Sequence, residues 1–237
     1  MSSHVRQKYL FLTTLFLSIF SSAQVRTDYV TQIQFDLNPS YVFNPGFQIS
    51  GEIGYQKQMV NDGWTQITFT PYVRTWLGKR MNFYVGIGNY YTFNEVINDR
   101  WEIRPYQAMA FRFPSGNFTL RHRIRLEERF DFDTGTWESE NEIRARYRVS
   151  SFYRWNVFEN GKYWEADVAA EFYFNLNGGK TQFQEQAKVT FGIDRGLNET
   201  SYIRFEISWL KEKLFDSSPI SDVYFRLRFF KYWGRRS

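Results

Sequence analysis

The sequence predicts an all-β protein, namely an antiparallel transmembrane β-barrel of about 10 strands with a charged, largely filled lumen. Two observations lead to this prediction. Aromatic residues make up 21% of the chain although its mean hydropathy is negative, at -0.52. In addition, long segments in which apolar and polar residues alternate are separated by clusters of turn residues. After the N-terminal region, no apolar run approaches the roughly 18 residues of a membrane-spanning helix, so strands are the expected membrane elements.

Residues 117–132, with the sequence NFTLRHRIRLEERFDF, show this alternation over a whole segment. Every second residue is charged, in a set that comprises Arg121, Arg123, Arg125, Glu127, Arg129 and Asp131. The residues between them are mostly apolar and comprise Phe118, Leu120, His122, Ile124, Leu126, Glu128, Phe130 and Phe132. A period of two indicates an extended strand with one apolar face and one ionic face.

Nine further segments alternate in the same way, at residues 47–58, 65–77, 81–93, 101–113, 139–150, 163–176, 183–194, 201–211 and 222–232. An additional strand is conceivable at residues 29–37. Porin-type barrels of a single bacterial chain have even strand numbers, so ten strands are favoured over about 12. The predicted organisation is an N-terminal segment at 24–45 that includes the additional strand, a β-barrel at 46–233 and a tail at 234–237.

The N-terminal residues 1–23 have the order of a secretory signal peptide. Arg6 and Lys8 precede an apolar run over residues 9–20, and small residues follow up to Ala23. A retained membrane anchor is the alternative, but the run is short for a spanning helix. We therefore expect cleavage near Ala23 and location in the bacterial outer membrane. The chain has no Cys, which excludes lipoprotein-type lipid attachment, disulfides and thiolate metal sites.

The orientation of the two faces decides between two kinds of barrel. In a water-soluble, lipocalin-like barrel the apolar face would fill the interior, whereas in a membrane barrel it meets lipid. The alternating segments are long compared with globular strands of about five or six residues, and a tilted spanning strand needs about 9–11. Aromatic residues also cluster towards segment ends, as in interfacial girdles, and these are Trp101, Phe130, Phe132, Trp155, Tyr163, Trp164, Trp209, Tyr232 and Trp233. We favour the membrane barrel.

In that orientation the ionic faces form a lumen charge network. Its predicted members are Arg121, Arg123, Arg125, Glu127, Arg129, Asp131, Glu142, Arg144, Arg146, Arg148, Glu165, Asp167, Glu171, Arg204 and Glu206. The arginines fall on neighbouring segments and would repel one another, so the acid-rich segment that follows must help to neutralise them. Two interpretations stay open: a rigid Arg–Glu network that fills the barrel, or a positive stripe along an anion-attracting path.

The candidates for catalysis and metal binding are few. His122 is the only histidine beyond residue 23, and it shares the apolar face with Ile124. It is a weak candidate for a catalytic residue at the lipid boundary. Glu127 and Glu128 point to opposite faces and cannot form one carboxylate site. No metal or cofactor is expected, and the small excess of positive charge, +5, does not indicate nucleic-acid binding.

The stretch LRHRIRLEERF at residues 120–130, together with VRTWLGKRMNFYVGIGNYY and RWEIRPYQ before it, resembles an outer-membrane β-barrel family labelled as a domain of unknown function and frequent in Bacteroidota. The resemblance covers most of the chain from about residue 29. It implies a Gram-negative outer-membrane location and no particular reaction. The C-terminal VYFRLRFFKYW is similar to outer-membrane assembly signals, although residues 234–237 follow it.

Three function classes follow from these features. The first is an outer-membrane barrel of structural or accessory type, with lipid and another envelope protein as its expected partners. The second is a narrow, porin-like channel for small solutes that prefers anions. The third is a lipid-modifying outer-membrane enzyme. No specific activity follows from the sequence, and we favour a role without catalysis.

Overall fold

The computed structural model describes residues 29–60, 63–155, 162–177, 186–212 and 221–234. The predicted signal peptide and residues 235–237 of the predicted tail lie outside these ranges. Within the ranges, no helix has the length and apolarity that a membrane-spanning helix needs.

The strands are β1 (Tyr29–Asn44), β2 (Phe47–Ser50), β3 (Ile53–Gln58), β4 (Thr65–Phe69), β5 (Tyr72–Trp76), β6 (Met81–Phe93), β7 (Arg100–Ser115), β8 (Phe118–Asp133), β9 (Ser139–Trp155), β10 (Trp164–Asn175), β11 (Gln186–Asn198), β12 (Ser201–Glu212) and β13 (Ser221–Gly234). They fall within or overlap the predicted segments. The conceivable additional strand is β1, which is longer than predicted and belongs to the barrel wall.

Two pairs of short strands each occupy one position in the wall. β2 and β3 are separated only at Gly51 and Glu52, and β4 and β5 only at Thr70 and Pro71. The two breaks lie side by side, because the backbones of Glu52 and Thr70 exchange hydrogen bonds of 3.1 and 2.8 Å. The wall therefore has 11 strand positions and closes on itself.

The closure is a parallel seam between β1 and β13. Its register runs from Tyr29 opposite Ser221 to Val42 opposite Gly234, while the other neighbours pair antiparallel. The strand count thus lies between the predicted ten and the alternative of twelve. The even-number rule applies when every neighbour is antiparallel, and one parallel pair permits an odd number.

The two ends of the barrel differ in their connections. At the short-turn end the strands are joined by residues 45–46, 77–80, 116–117, 156–163 and 199–200. At the long-loop end they are joined by residues 59–64, 94–99, 134–138, 176–185 and 213–220. β1 begins at the long-loop end, and β13 ends at the short-turn end.

The side chains alternate between an apolar outer face and a polar interior. Among the described residues, only six hydrophobic side chains are buried, whereas the buried polar and charged ones include Glu127, Glu171 and Asp36. The exposed outward side chains that we call the apolar belt are Phe35, Leu37, Ile49, Ile53, Ile67, Phe69, Val73, Val85, Ile87, Phe118, Ile124, Leu126, Val168, Phe191, Ile193, Phe205, Ile207, Phe225 and Leu227. Burial of the polar set and exposure of the apolar set is the inverse of a water-soluble core.

Candidate functional site in the charged lumen

The register of β8 and β9 places arginines directly opposite each other. Arg123 faces Arg148, and Arg125 faces Arg146. Like charges at such positions repel, so the arrangement requires carboxylates from the same strands or from their neighbours. Each of the residues predicted for the lumen network lies on the inner face, and all except Arg121 form ion pairs there.

Glu127 on β8 supplies one of these carboxylates. Its side chain is fully buried and lies 3.1 Å from Arg125, 2.5 Å from Arg144 and 3.4 Å from Arg146. Three cations around one anion leave a local excess of positive charge. A second carboxylate must therefore lie close to this cluster.

Glu171 on β10 is that second carboxylate. It contacts Arg123 at 3.2 Å, Arg146 at 2.9 Å and Arg148 at 3.8 Å. Arg146 thus bridges Glu127 and Glu171. The acid-rich segment after β9 takes part in neutralising the arginine rows because β10 is the next strand of the wall.

Towards the long-loop end, Glu102 on β7 forms ion pairs with two further arginines. Arg104 donates to it at 2.7 Å and Arg129 at 2.6 Å, and Arg129 also binds Glu142. Asp131 pairs with Arg100 at 3.0 Å, nearer the rim. The network therefore extends from the middle of the barrel to the long-loop end.

The opposite wall carries its own ion pairs. Arg204 on β12 lies 2.5 Å from Asp194, 3.7 Å from Asp167 and 3.5 Å from Glu206. Glu165 pairs with Arg154 at 2.8 Å at the short-turn end. Asp167, Asp194 and Glu206 are thus partnered by Arg204, whereas Glu171, which is also on β10, serves the arginines of β8 and β9.

A further cluster lies at the parallel seam and was absent from the sequence prediction. Arg226 binds Asp36 and lies 3.0 Å from Glu52, and Arg228 lies 2.8 Å from Glu52. Arg228 also donates to Asn38 at 2.8 Å. These contacts join β13 to β1 and to the break between β2 and β3. The spacing of Arg226 and Arg228 repeats the Arg-x-Arg pattern of β8, a signal that could have revealed them.

Tyrosine rings support the arginines from the barrel wall. The guanidinium of Arg125 lies 3.6 Å from the ring centroid of Tyr106, and that of Arg104 lies 4.2 Å from the centroid of Tyr90. The Tyr106 ring rests against β6 where Gly86 has no side chain, since a Cβ there would come within 2.7 Å of the ring. Glycine therefore permits the close approach that holds Arg125 in place.

The short-turn half of the lumen contains a cavity of about 740 Å³. Its inner limit includes Tyr106 and Arg125, and Arg154, Asn198 and Glu199 line it near the strand ends. The last three residues are exposed, so this end of the cavity reaches the protein surface. Eight arginines but four acidic residues line the cavity, which gives it a positive charge.

Two connections at the long-loop end are held together by hydrogen bonds. Asn98 donates to Asp133 at 2.9 Å, and the backbone of Thr134 donates to the backbone oxygen of Asp99 at 2.9 Å. The backbone N–H groups of Thr136 and Gly135 donate to the Asp133 carboxylate and hold its pKa below the usual range. Val96, at the tip of the first connection, is 71% exposed.

His122 lies on the outer face, outside the lumen. Its Nδ1 is 2.7 Å from the hydroxyl of Tyr147, and Phe113 contacts the ring edge to face. Among the described residues, no carboxylate hydrogen-bonds to His122 to orient it as a general base. The described residues also contain no group of three or more His, Cys, Asp or Glu side chains arranged to hold a metal ion.

Comparison with known proteins assigns the chain to a family but to no activity. Residues 31–219 match a family model described as "Protein of unknown function (DUF2490)". No curated protein was found to match the chain. The matched residues run from the third residue of β1 to beyond the end of β12 and therefore include most of the charged lumen.

Proposed function

The chain belongs to the DUF2490 family, and we propose that it is an integral outer-membrane β-barrel of structural or accessory type. In this proposal the Arg–Glu network closes the lumen to ion flow. The observation that carries the proposal is the apolar belt, because it lies on the outer face of nine of the 11 strand positions, where water would otherwise be in contact.

The apolar belt is as tall as the membrane-spanning part of a β-strand. On β8, the outward side chains from Phe118 to Leu126 are apolar apart from His122, whose ring nitrogen shares a hydrogen bond with the Tyr147 hydroxyl. The next outward side chain is that of Glu128, which ends the apolar stretch. This stretch matches the roughly 9–11 residues with which a tilted strand crosses a bilayer. Short periplasmic turns and longer extracellular loops are typical of outer-membrane barrels, so we assign the short-turn end to the periplasm.

Closure of the lumen is supported by the burial of the network. The side chain of Glu127 is fully buried, that of Glu171 is 4% exposed, and those of Arg125 and Arg146 are 13% and 14% exposed. Side chains packed to this degree leave little room for hydrated ions. The bidentate Arg–carboxylate pairs also resist rearrangement, because each guanidinium holds several partners.

The test combines membrane insertion with conductance. The full chain is refolded into liposomes, floated on a density gradient, washed with urea and then fused to a planar bilayer under a salt gradient. We expect the protein to float, resist extraction and show no discrete current steps. Loss of the protein from the liposomes would overturn the membrane assignment, and discrete steps would overturn the closed lumen.

A narrow anion-preferring channel is the second candidate function. The excess of arginines along the cavity favours it. If current steps appear with anion preference, Arg125→Glu should weaken or reverse that preference, because Arg125 lies where the cavity meets the network.

A further inference from the structure

We propose that the short-turn half of the lumen is a binding site for a small, water-soluble polyanion that carries phosphate or sulfate groups. The site is formed by four residues that we call the arginine wall: Arg74, Arg112, Arg121 and Arg123. This inference rests on the proposed function in one respect: the closed lumen decides from which end the ligand enters. The binding groups themselves are present whether the barrel is open or closed.

The arginine wall comes from three strands that the barrel brings together. Arg112 on β7 lies directly opposite Arg121 on β8, and Arg123 follows on the same face of β8. Arg74 on β5 lies opposite Tyr84 on β6. The hydroxyl of Tyr84 is 3.4 Å from Nη2 of Arg121, and all four arginines line the same cavity as Tyr84. The four guanidinium groups therefore converge on one region of the cavity.

The arginine wall lacks the carboxylates that neutralise the rest of the lumen. Among the described residues, no acidic oxygen lies within 4.0 Å of a side-chain nitrogen of Arg74, Arg112 or Arg121. Arg123 alone has an ion pair, with Glu171 at 3.2 Å. Facing arginines without an anion repel each other, so a bound anion would remove an unfavourable interaction.

The acidic residues of the same cavity do not compensate for the wall. Glu52 is held by Arg228 at 2.8 Å, Glu165 by Arg154 at 2.8 Å and Asp194 by Arg204 at 2.5 Å. Glu199, the fourth, lies at the exposed rim. The positive charge is thus concentrated on one side of the cavity.

Two groups of the wall have unmet hydrogen-bonding capacity. The Nε atoms of Arg74 and Arg121 are buried and have no acceptor among the described residues. A buried donor without an acceptor is costly, and an oxyanion is the acceptor that guanidinium groups bind in bidentate geometry. Two or more tetrahedral oxyanion groups would match the separate positions of Arg74 and the facing pair of Arg112 and Arg121.

The cavity also limits the size of the ligand and its route of entry. Its volume of about 740 Å³ lies within the roughly 300–1,000 Å³ of small-molecule sites. Tyr72, Tyr84, Tyr90 and Tyr106 also line it. The ligand is water-soluble because the barrel wall separates the arginines from the apolar belt. It enters and leaves by the short-turn end, since the Glu127 and Glu171 clusters fill the middle of the lumen.

Inorganic pyrophosphate is a direct probe of this site. The full chain, refolded in detergent, is titrated calorimetrically with pyrophosphate at low and high salt, with glucose as the neutral comparison. We expect saturable binding of one pyrophosphate per chain that weakens with salt, and no binding of glucose. Absence of saturable pyrophosphate binding would overturn the proposal.

Variants locate the binding. The double variant Arg112→Gln/Arg121→Gln should lower the affinity at least tenfold, and the single variant Arg74→Gln serves if the double variant fails to fold. Arg100→Gln is the matched control, because Arg100 pairs with Asp131 at the long-loop end. Equal weakening in Arg100→Gln would show non-specific attraction and overturn the site. Folding of each variant is checked by the heat-dependent shift in gel mobility.

Two further comparisons distinguish a soluble ligand from lipid headgroups, and the binding site from the closure of the lumen. Added phosphatidylglycerol should leave pyrophosphate affinity unchanged, and competition would assign the site to lipid headgroups and overturn the soluble ligand. Conductance is recorded independently. Pyrophosphate binding in a conducting barrel would refute the closed lumen and preserve the site, whereas a silent barrel without binding would refute the site alone.

Discussion

The carboxylate of Glu127 lies 2.5 Å from Nη2 of Arg144 on the neighbouring strand, and the Glu127 side chain is fully buried. The same carboxylate also serves Arg125 and Arg146. Glu127 is therefore the anion on which the arginines of two strands depend.

Glu127→Ala should destabilise the barrel strongly. Removal of one partner from a buried ion pair leaves uncompensated charge and costs about 3–5 kcal/mol. The free energy of unfolding, measured by urea titration of the liposome-inserted protein, would report this loss. Glu140→Ala is the control, because Glu140 is 87% exposed and 3.9 Å from Arg100; an exposed pair contributes about 0–1 kcal/mol. Equal effects of the two substitutions would contradict a structural role for Glu127.

The parallel seam predicts a specific disulfide. Phe35 and Leu227 are register partners across β1 and β13, and both point outward. Since the chain has no Cys, Phe35→Cys/Leu227→Cys should oxidise to a single intramolecular bond. Phe35→Cys/Phe229→Cys is shifted along β13 and should oxidise poorly, because its Cα atoms exceed the roughly 7 Å limit for bridging. The fraction of oxidised protein is measured for both variants on non-reducing gels. A higher fraction for the second pair would refute this register.

The apolar belt predicts that a charge on the outer face is costly only between the rims. Ile124→Arg should lower the free energy of unfolding in liposomes by about 2–4 kcal/mol, as for arginine near the bilayer midplane. Val96→Arg introduces the same charge at the exposed loop tip and should change stability by less than about 0.5 kcal/mol. Similar costs at both positions would show that Ile124 does not contact lipid.

The hydrogen bond between His122 and Tyr147 predicts a coupling energy on the outer face. His122→Phe and Tyr147→Phe should each destabilise the protein, and the double variant should recover part of the loss. The expected coupling is about 0.5–1.5 kcal/mol, the net contribution of one hydrogen bond. Additive effects in the double-mutant cycle would mean that the two side chains do not interact.

An activity assay tests whether His122 is catalytic. In an assay of lipid hydrolysis or deacylation, we expect the protein to show no activity above that of the His122→Ala variant, because no carboxylate of the described residues orients the imidazole. Activity that depended on His122 would support the lipid-modifying class instead.

The face of each lumen residue could be predicted, whereas its partners could not. A period of two assigns Arg121, Arg123 and Arg125 to one face whatever the rest of the fold does. The positions of Arg123 opposite Arg148 and of Arg125 opposite Arg146 depend on the register, which the connection at 134–138 determines. Alternation within one strand carries no information about that register.

The seam cluster was missed for a related reason. Asp36 is the only charged residue of 29–44 and Glu52 is the only acidic residue of 47–58. Asp36 meets Arg226 across a sequence separation of 190 residues. Such a contact exists only once the barrel closes. The number of 11 strands could not be derived for the same reason, because residues 29–44 alternate like a strand but do not reveal that their seam with β13 is parallel.

The seam has a consequence for protein engineering. In an even-stranded antiparallel barrel both chain ends lie at one rim, so a short linker can join them and new ends can be opened in any loop. Here β1 starts at one rim and β13 finishes at the other. A linker from Gly234 to Tyr29 would have to traverse the full height of the barrel, through the filled lumen or along the apolar outer face. Circular permutation by a short linker is therefore ruled out, unless one strand is first added or removed.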